Sequence, residues 1–223
     1  MSDGVNHKFL SFGERAVVVE FTGLAEALAG FELLKIARLT GVIQLVPGAR
    51  TVLVQFDPSM VSADRLKAAL GSTLSGESPA ASSATSSISA PPADLLPPIE
   101  LAVCYDGPDL ESLATQLGRS PEALIAEHLA ADWRVGFAGF TPGFTYLWAP
   151  DWHHRIDRLA SPRTRIEPGS LGLAAEFCGV YPRATPGGWQ LIGSCDALLW
   201  DITREPAALL AQPGQPVKFR RVS

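Results

Sequence analysis

Residues 76–97, GESPAASSATSSISAPPADLLP, interrupt the chain. Fifteen of these 22 are Ser, Ala or Pro, and none is aromatic. Such a stretch buries too little apolar surface to offset the entropy of ordering it, so it reads as a flexible linker. A single continuous core across 223 residues is thereby excluded, leaving domains at 1–75 and 98–223. Neither is basic and the net charge is −5, which argues against nucleic-acid binding. With 47% hydrophobic residues, both domains have the material for a core. No run of about 18 apolar residues occurs, so no membrane partner is expected. The opening MSDGVNHKF lacks the charged-then-apolar plan of a signal peptide. Cys104, Cys178 and Cys195 form no CxxC, so neither a disulfide framework nor a zinc site is expected, and the simplest location is the cytoplasm.

Familiar nucleotide and hydrolase signatures are missing. None of Lys8, Lys35, Lys67 and Lys218 follows a glycine, which removes the GxxxxGK[ST] phosphate loop. No two glycines are spaced GxG, and neither HExxH nor GxSxG occurs. Any chemistry here uses another constellation.

The first domain reads β-α-β-β-α. AVVVEF (16–21) is a β-branched run, and 24–39 is rich in helix formers. VIQLV (42–46) and TVLVQF (51–56) flank the turn dipeptide Pro47-Gly48. Ser62 caps a helix through Leu70, with Val61 and Leu66 spaced as a hydrophobic staple. The expected product is a small open α+β sandwich. In the second domain IELAVCY (99–105) is a strand and DLESLATQLG (109–118) a helix. Ser120-Pro121-Glu122 starts another helix, with a cap, a proline at N1 and an acid in the first turn. Short strands follow between Gly/Pro turns: WRVGF, SLGLA, GVYP, WQLIGS, ALLWDI and VKFRRV. Their spacing suggests a barrel or a sandwich, and the need to hide sheet edges favours a closed barrel.

Candidate site residues lie between 128 and 195. FAGFTPGFTYL (137–147) sets aromatics among glycines, either as a core strand entering a tight turn or as an aromatic wall at a barrel mouth. Arg163 and Arg165 in SPRTRIEPGS are two apart, so an extended segment puts both guanidiniums on one face, where an anion would sit between them. The plainer alternative is two solvated arginines paired with Asp157 or Glu167. In ATPGGWQLIGS (184–194), Gly187 and Gly188 either let backbone approach a ligand or punctuate a hairpin, and an inward Gln190 would bind an amide. His128 on its helix is a structural or a proton-transfer histidine. The adjacent His153 and His154 diverge and find no further ligands, so no metal is expected.

GFTPGFTYL, SPRTRIEPGSLGLA, GVYP and PGGWQLIG, in that order, resemble the family of 5-oxoprolinase B-type subunits, also known as allophanate hydrolase subunit 1 and as the sporulation-kinase inhibitor KipI. YDGPDLESLATQLGRSPEALIAEH, GERAVVVEF and VPGARTVLVQFDP extend the likeness over nearly the whole chain outside the linker. The resemblance implies a cyclophilin-like β-barrel for 98–223 behind the small α+β domain. It implies two partners, a C-type subunit of the KipA kind and an A-type subunit of the LamB/YcsF kind. It also implies ATP-dependent opening of 5-oxoproline to glutamate by the assembly, with this chain inactive alone. ATP then binds on or beside a partner. Relatives serve as carboxyltransferase modules of urea carboxylase or inhibit a histidine kinase, so both remain alternatives. On this reading Arg163 and Arg165 bind anions and His128 transfers protons. Gln190 and Tyr146 position the amide against Gly187 and Gly188, while Phe140 and Phe144 exclude water. The chain departs from the family pattern at AEFCGVYP, where Phe177-Cys178 replace Gln-Thr, and at IGSCD, where Ser194-Cys195 replace Arg-Thr. An arginine-bearing element before SPRTR is reduced to Arg155 and Arg158.

Overall fold

Alternation organises the first domain. Val17, Val19 and Phe21 of one strand and Val52, Val54 and Phe56 of another are buried, while their neighbours are half-exposed. A period of two puts each triplet on one sheet face. The structure is a computed structural model describing residues 6–76 and 96–222; the expected linker lies, over 77–95, outside the described residues. The chain divides into two compact units, Met1–Leu95 and Leu96–Ser223.

In the first unit the order is β1 (His7–Phe12), β2 (Ala16–Phe21), α1 (Leu24–Ala37), β3 (Val42–Pro47), β4 (Thr51–Phe56) and α2 (Ala63–Leu74). The strands pair antiparallel as β1-β2-β4-β3. Phe31 and Leu34 of α1 and Leu66 and Leu70 of α2 bury against that sheet's apolar face. The Ser62 hydroxyl accepts from the Arg65 N–H and caps α2, and Val61 packs on the same core. The expected β-α-β-β-α order lacked β1. That strand is mostly exposed, so its sequence carries little of the alternation that marks β2.

The second unit runs β5 (Ile99–Cys104), α3 (Leu110–Gln116), α4 (Pro121–Ala130), β6 (Arg134–Ala138), β7 (Thr145–Trp148), β8 (Arg163–Ile166), β9 (Ser170–Ala174), β10 (Phe177–Val180), β11 (Thr185–Gly187), β12 (Gln190–Cys195) and β13 (Val217–Arg221). Ser120 caps α4 by accepting from the Ala123 N–H. Seven strands form one curled sheet, β13-β5-β12-β9-β10-β7-β6, while β8 and β11 pair separately. The ends of the large sheet meet at one corner. There Val135 N–H donates to Gln215, Gly214 N–H to Val135 and Val217 N–H to Trp133. This barrel-like closure hides part of two edges, as expected of so many short strands. Leu101, Val103, Leu147, Leu171 and Ile192 fill the interior, and Leu113 and Leu124 of the helices join the same core. ALLWDI does not form the expected strand. Trp200 makes one isolated bridge, to Ala208, flanked by Asp201 N–H to Ala207 O and Leu209 N–H to Leu199 O, and with Leu198 and Ile202 exposed the pairing extends no further. Among the described residues, no helix is long and apolar enough to cross a membrane.

Candidate functional site

The turn between β6 and β7 builds an aromatic pocket. Gly139 N–H donates to Phe144 O and Phe144 N–H to Thr141 O, closing a tight loop. Phe140 sits at its tip with φ +63° and is 59% exposed, whereas Phe144 is buried. The Phe144 ring meets Phe140, Tyr181 and Trp189 edge to face, with centroids 5.4, 5.2 and 5.3 Å apart. Tyr146 meets Trp189 at 5.6 Å in the same manner. Such contacts are the favoured geometry for quadrupolar rings and hold the walls in place. The cavity measures about 60 Å3, and Arg158 and the backbone of Gly187 and Gly188 complete its lining.

Its polar groups are donors. Burial pushes the Tyr181 phenol up to about 12, against an opposing pull from Arg158. Burial likewise raises Tyr146, again opposed by Arg158. Both phenols therefore keep their protons at neutral pH. Among the described residues, no carboxylate lines the cavity. A guanidinium and two O–H groups among apolar walls match a small ligand that is apolar in body and carries acceptor oxygens, above all a carboxylate.

Arg158 is held by the segment around it. Ile156 exchanges two backbone hydrogen bonds with Ala175, of 2.9 and 2.6 Å. Gln190 Nε2 donates to Asp157 O at 3.2 Å, and Leu159 N–H to Gly188 O at 2.7 Å. The backbone that carries Arg158 is thus tied to the pocket wall, while its side chain is exposed.

Among the site residues read from the sequence, Phe140, Phe144, Tyr146, Gly187 and Gly188 converge on this cavity. Gln190 lies buried behind it, holding the Arg158 segment. The two expected anion-binding arginines do not share an anion. Arg163 Nη2 donates to Asp109 Oδ1 at 2.7 Å, and Asp109 Oδ2 accepts from Leu191 N–H at 2.7 Å. Because Arg163 pairs with Gly187 in register, this bridge ties β8 and β11 to the start of β12 across the pocket wall. Arg163 Nη1 is buried without a partner among the described residues. Arg165 is exposed and bonds Glu167 through Nε and Nη2, at 2.6 and 3.2 Å. The two guanidiniums thus bond separate carboxylates rather than one common site.

His128 does not sit at the pocket. It is fully buried between Tyr105 and Cys178, with Nδ1 2.8 Å from the Tyr105 hydroxyl and Nε2 3.3 Å from Cys178 Sγ. Trp133, Trp152 and Phe219 surround the ring. Burial lowers its pKa to about 3, so the imidazole is neutral, partnered at both nitrogens and closed off from a substrate. The helix spacing that suggested a proton-transfer group instead places a core histidine. Cys178, one of the departures from the family pattern, is its neighbour, while Ser194 donates to Asp106 at 3.0 Å. His154 pairs with Glu127, which Arg119 also contacts. No group of three or more His, Cys, Asp or Glu is placed to hold a metal among the described residues.

Three pocket residues escaped the sequence reading: Arg158, Tyr181 and Trp189. Tyr181 and Trp189 stand inside motifs already singled out, GVYP and PGGWQLIG, and only the fold turns them towards Phe144.

Residues 7–210 match the family described as carboxyltransferase domain, subdomain C and D. The chain is 42% identical over 128 residues to the B-type subunit of 5-oxoprolinase from Bacillus subtilis (strain 168), covering 56% of this chain and 53% of that protein. It is 41% identical over 124 residues to the corresponding 5-oxoprolinase subunit from Escherichia coli O157:H7, covering 54% and 56%. The chain thus spans about half the length of the curated relatives it matches. Among solved structures it superposes on the K. lactis urea amidolyase with a TM-score of 0.69 and 16% identity, over 100% of this chain and 15% of that one, a likeness of fold alone.

Proposed function

The chain belongs to the carboxyltransferase domain family, subdomain C and D, and from that premise we propose that it is the B-type subunit of an ATP-dependent 5-oxoprolinase. The reading rests on one observation above the others: a small apolar cavity whose polar groups are Arg158, Tyr146 and Tyr181. 5-Oxoproline is a small ring bearing a carboxylate and a lactam carbonyl. Its ring suits the walls of Phe144 and Trp189, its carboxylate suits the guanidinium, and its carbonyl suits a phenol. Curated relatives named as 5-oxoprolinase subunits support a place in a multi-subunit assembly.

A lactam resists hydrolysis because nitrogen is a poor leaving group. ATP phosphorylates the amide oxygen with release of ADP, one water adds to the carbon and the C–N bond breaks to leave a free amine and an acyl phosphate, and a second water then hydrolyses the acyl phosphate to glutamate and inorganic phosphate. This chain carries no phosphate loop. Its share is to hold the lactam carboxylate and shield the ring, while ATP is bound on or beside a KipA-type partner, and a LamB/YcsF-type partner completes the enzyme.

A second reading, carboxyl transfer to urea or another amide, is favoured by the family's carboxyltransferase description. One experiment separates the two. ATP-dependent glutamate release from 5-oxoproline is measured with all three proteins, with each one omitted, and with Arg158→Ala in place of the native chain. Turnover that needs all three and falls with Arg158→Ala supports the hydrolase. A stable complex without turnover moves the function to another amide or to carboxyl transfer. Failure to form any complex favours a regulator.

A further inference from the structure

The two phenols of the pocket are not equivalent. Tyr146 stacks on Phe137 with centroids 4.4 Å apart and planes 12° from parallel, and it remains partly exposed. Tyr181 is 2% exposed. Gly187 lies so close that a Cβ there would come 2.7 Å from the hydroxyl. Two guanidiniums, those of Arg158 and Arg163, act on it. With the ring packed edge to face on Phe144 and Gly187 against the hydroxyl, the O–H lines the cavity and is placed to donate to a ligand. Among the described residues it donates to no acceptor.

We infer that Tyr181 is the specificity-determining residue of this pocket: its hydroxyl donates to the carbonyl oxygen of a small cyclic amide whose carboxylate is held by Arg158. The inference rests on the reading of the cavity as a lactam-carboxylate site. A buried donor that finds no acceptor forfeits its desolvation cost, so a ring lacking the carbonyl is rejected even when it fits. An exposed phenol does not discriminate in this way, because water replaces the missing partner.

The test uses the full chain and two probes that differ only in the carbonyl, 3-oxocyclopentanecarboxylate and cyclopentanecarboxylate, alongside 5-oxoproline, by titration calorimetry. The native chain is expected to prefer the oxo probe by about tenfold or more. Tyr181→Phe is expected to erase that preference and leave the affinity for cyclopentanecarboxylate unchanged, while Tyr146→Phe keeps it. Gly187→Ala, which displaces the hydroxyl without removing it, erases it too and serves where Tyr181→Phe folds poorly. If the preference survives both variants, or Tyr181→Phe weakens both probes equally, the inference falls and the pocket reading stands. If the native chain binds neither probe nor 5-oxoproline, the pocket reading falls and takes the inference with it.

Discussion

The hydroxyl oxygen of Tyr181 stands 2.7 Å from the point where a Cβ on residue 187 would be built. Real Cβ atoms do not approach so closely, so the pocket donor and the pocket wall together require glycine at 187. Ile166 Cδ1, at 2.8 Å from the same point, closes the other way out.

Gly187→Ala therefore has to move either the phenol or β11. We expect a stability loss of about 1–3 kcal/mol from overpacking. Affinity for 5-oxoproline is expected to fall about tenfold or more, because the donor shifts off its line. Urea unfolding and calorimetric titration on the same preparation check both. Unchanged affinity in a destabilised variant would detach Tyr181 from binding.

Phe140 holds φ +63°, a left-handed conformation that costs a residue with a Cβ about 1–2 kcal/mol. Its ring is largely exposed yet forms the outer pocket wall. Phe140→Gly is expected to raise stability by about 1 kcal/mol while weakening ligand binding. A variant that is both less stable and fully competent to bind would contradict this division between strain and use.

Asp109 joins Arg163 to the Leu191 backbone and is nearly buried. Its removal leaves a half-buried guanidinium and a buried N–H without partners. Asp109→Ala is expected to cost about 2–4 kcal/mol, with Asp109→Asn milder. Arg165→Ala breaks only an exposed pair with Glu167 and is expected to leave the melting temperature unchanged within error. Thermal unfolding of the three variants orders them, and an Arg165→Ala loss as large as that of Asp109→Ala would refute the assignment.

Burial holds His128 neutral, with its folded pKa near 3 against about 6.5 in an open chain. The unfolded state therefore binds a proton that the folded state refuses between those values. The stabilisation is complete above pH 6.5 and is lost as pH falls towards 3, at up to about 1.4 kcal/mol per pH unit. His128→Gln removes that dependence. The stability gap between native and variant chains is expected to narrow by about 2 kcal/mol from pH 7.5 to pH 5. A gap that stays constant would mean that the imidazole takes up its proton as readily in the fold as in the open chain.

Local signals were legible where a residue decides its own geometry. Ser62 and Ser120 cap their helices as read, because an N-cap needs only the next three residues. β7, β8 and β11 were missed for the opposite reason, each being short and defined by its pairing partner, and β1 because its mostly exposed residues show little alternation. ALLWDI looked like a strand, but its pairing with 207–209 stops at one isolated bridge. At the site, glycines and aromatics in one motif gave away most of the walls. Arg158 was named only as a remnant, with Arg155, of the family's arginine-bearing element and was given no role, since an arginine in a loop is ordinary until Gln190 and Gly188 fix its segment. His128 misled because a helix face says nothing about what the rest of the chain lays over it.

The ties on either side of Arg158, from Ile156 to Ala175 and from Leu159 to Gly188, bear on how a ligand would be received. A guanidinium on a loose loop must be gathered in at each encounter, and part of the contact energy goes into stilling it. Here its backbone is anchored before any ligand arrives. The aromatic walls must still part to enlarge a cavity of about 60 Å3, but the segment that carries the cation is set beforehand, and selectivity is expressed in how long a molecule stays rather than in how readily it enters.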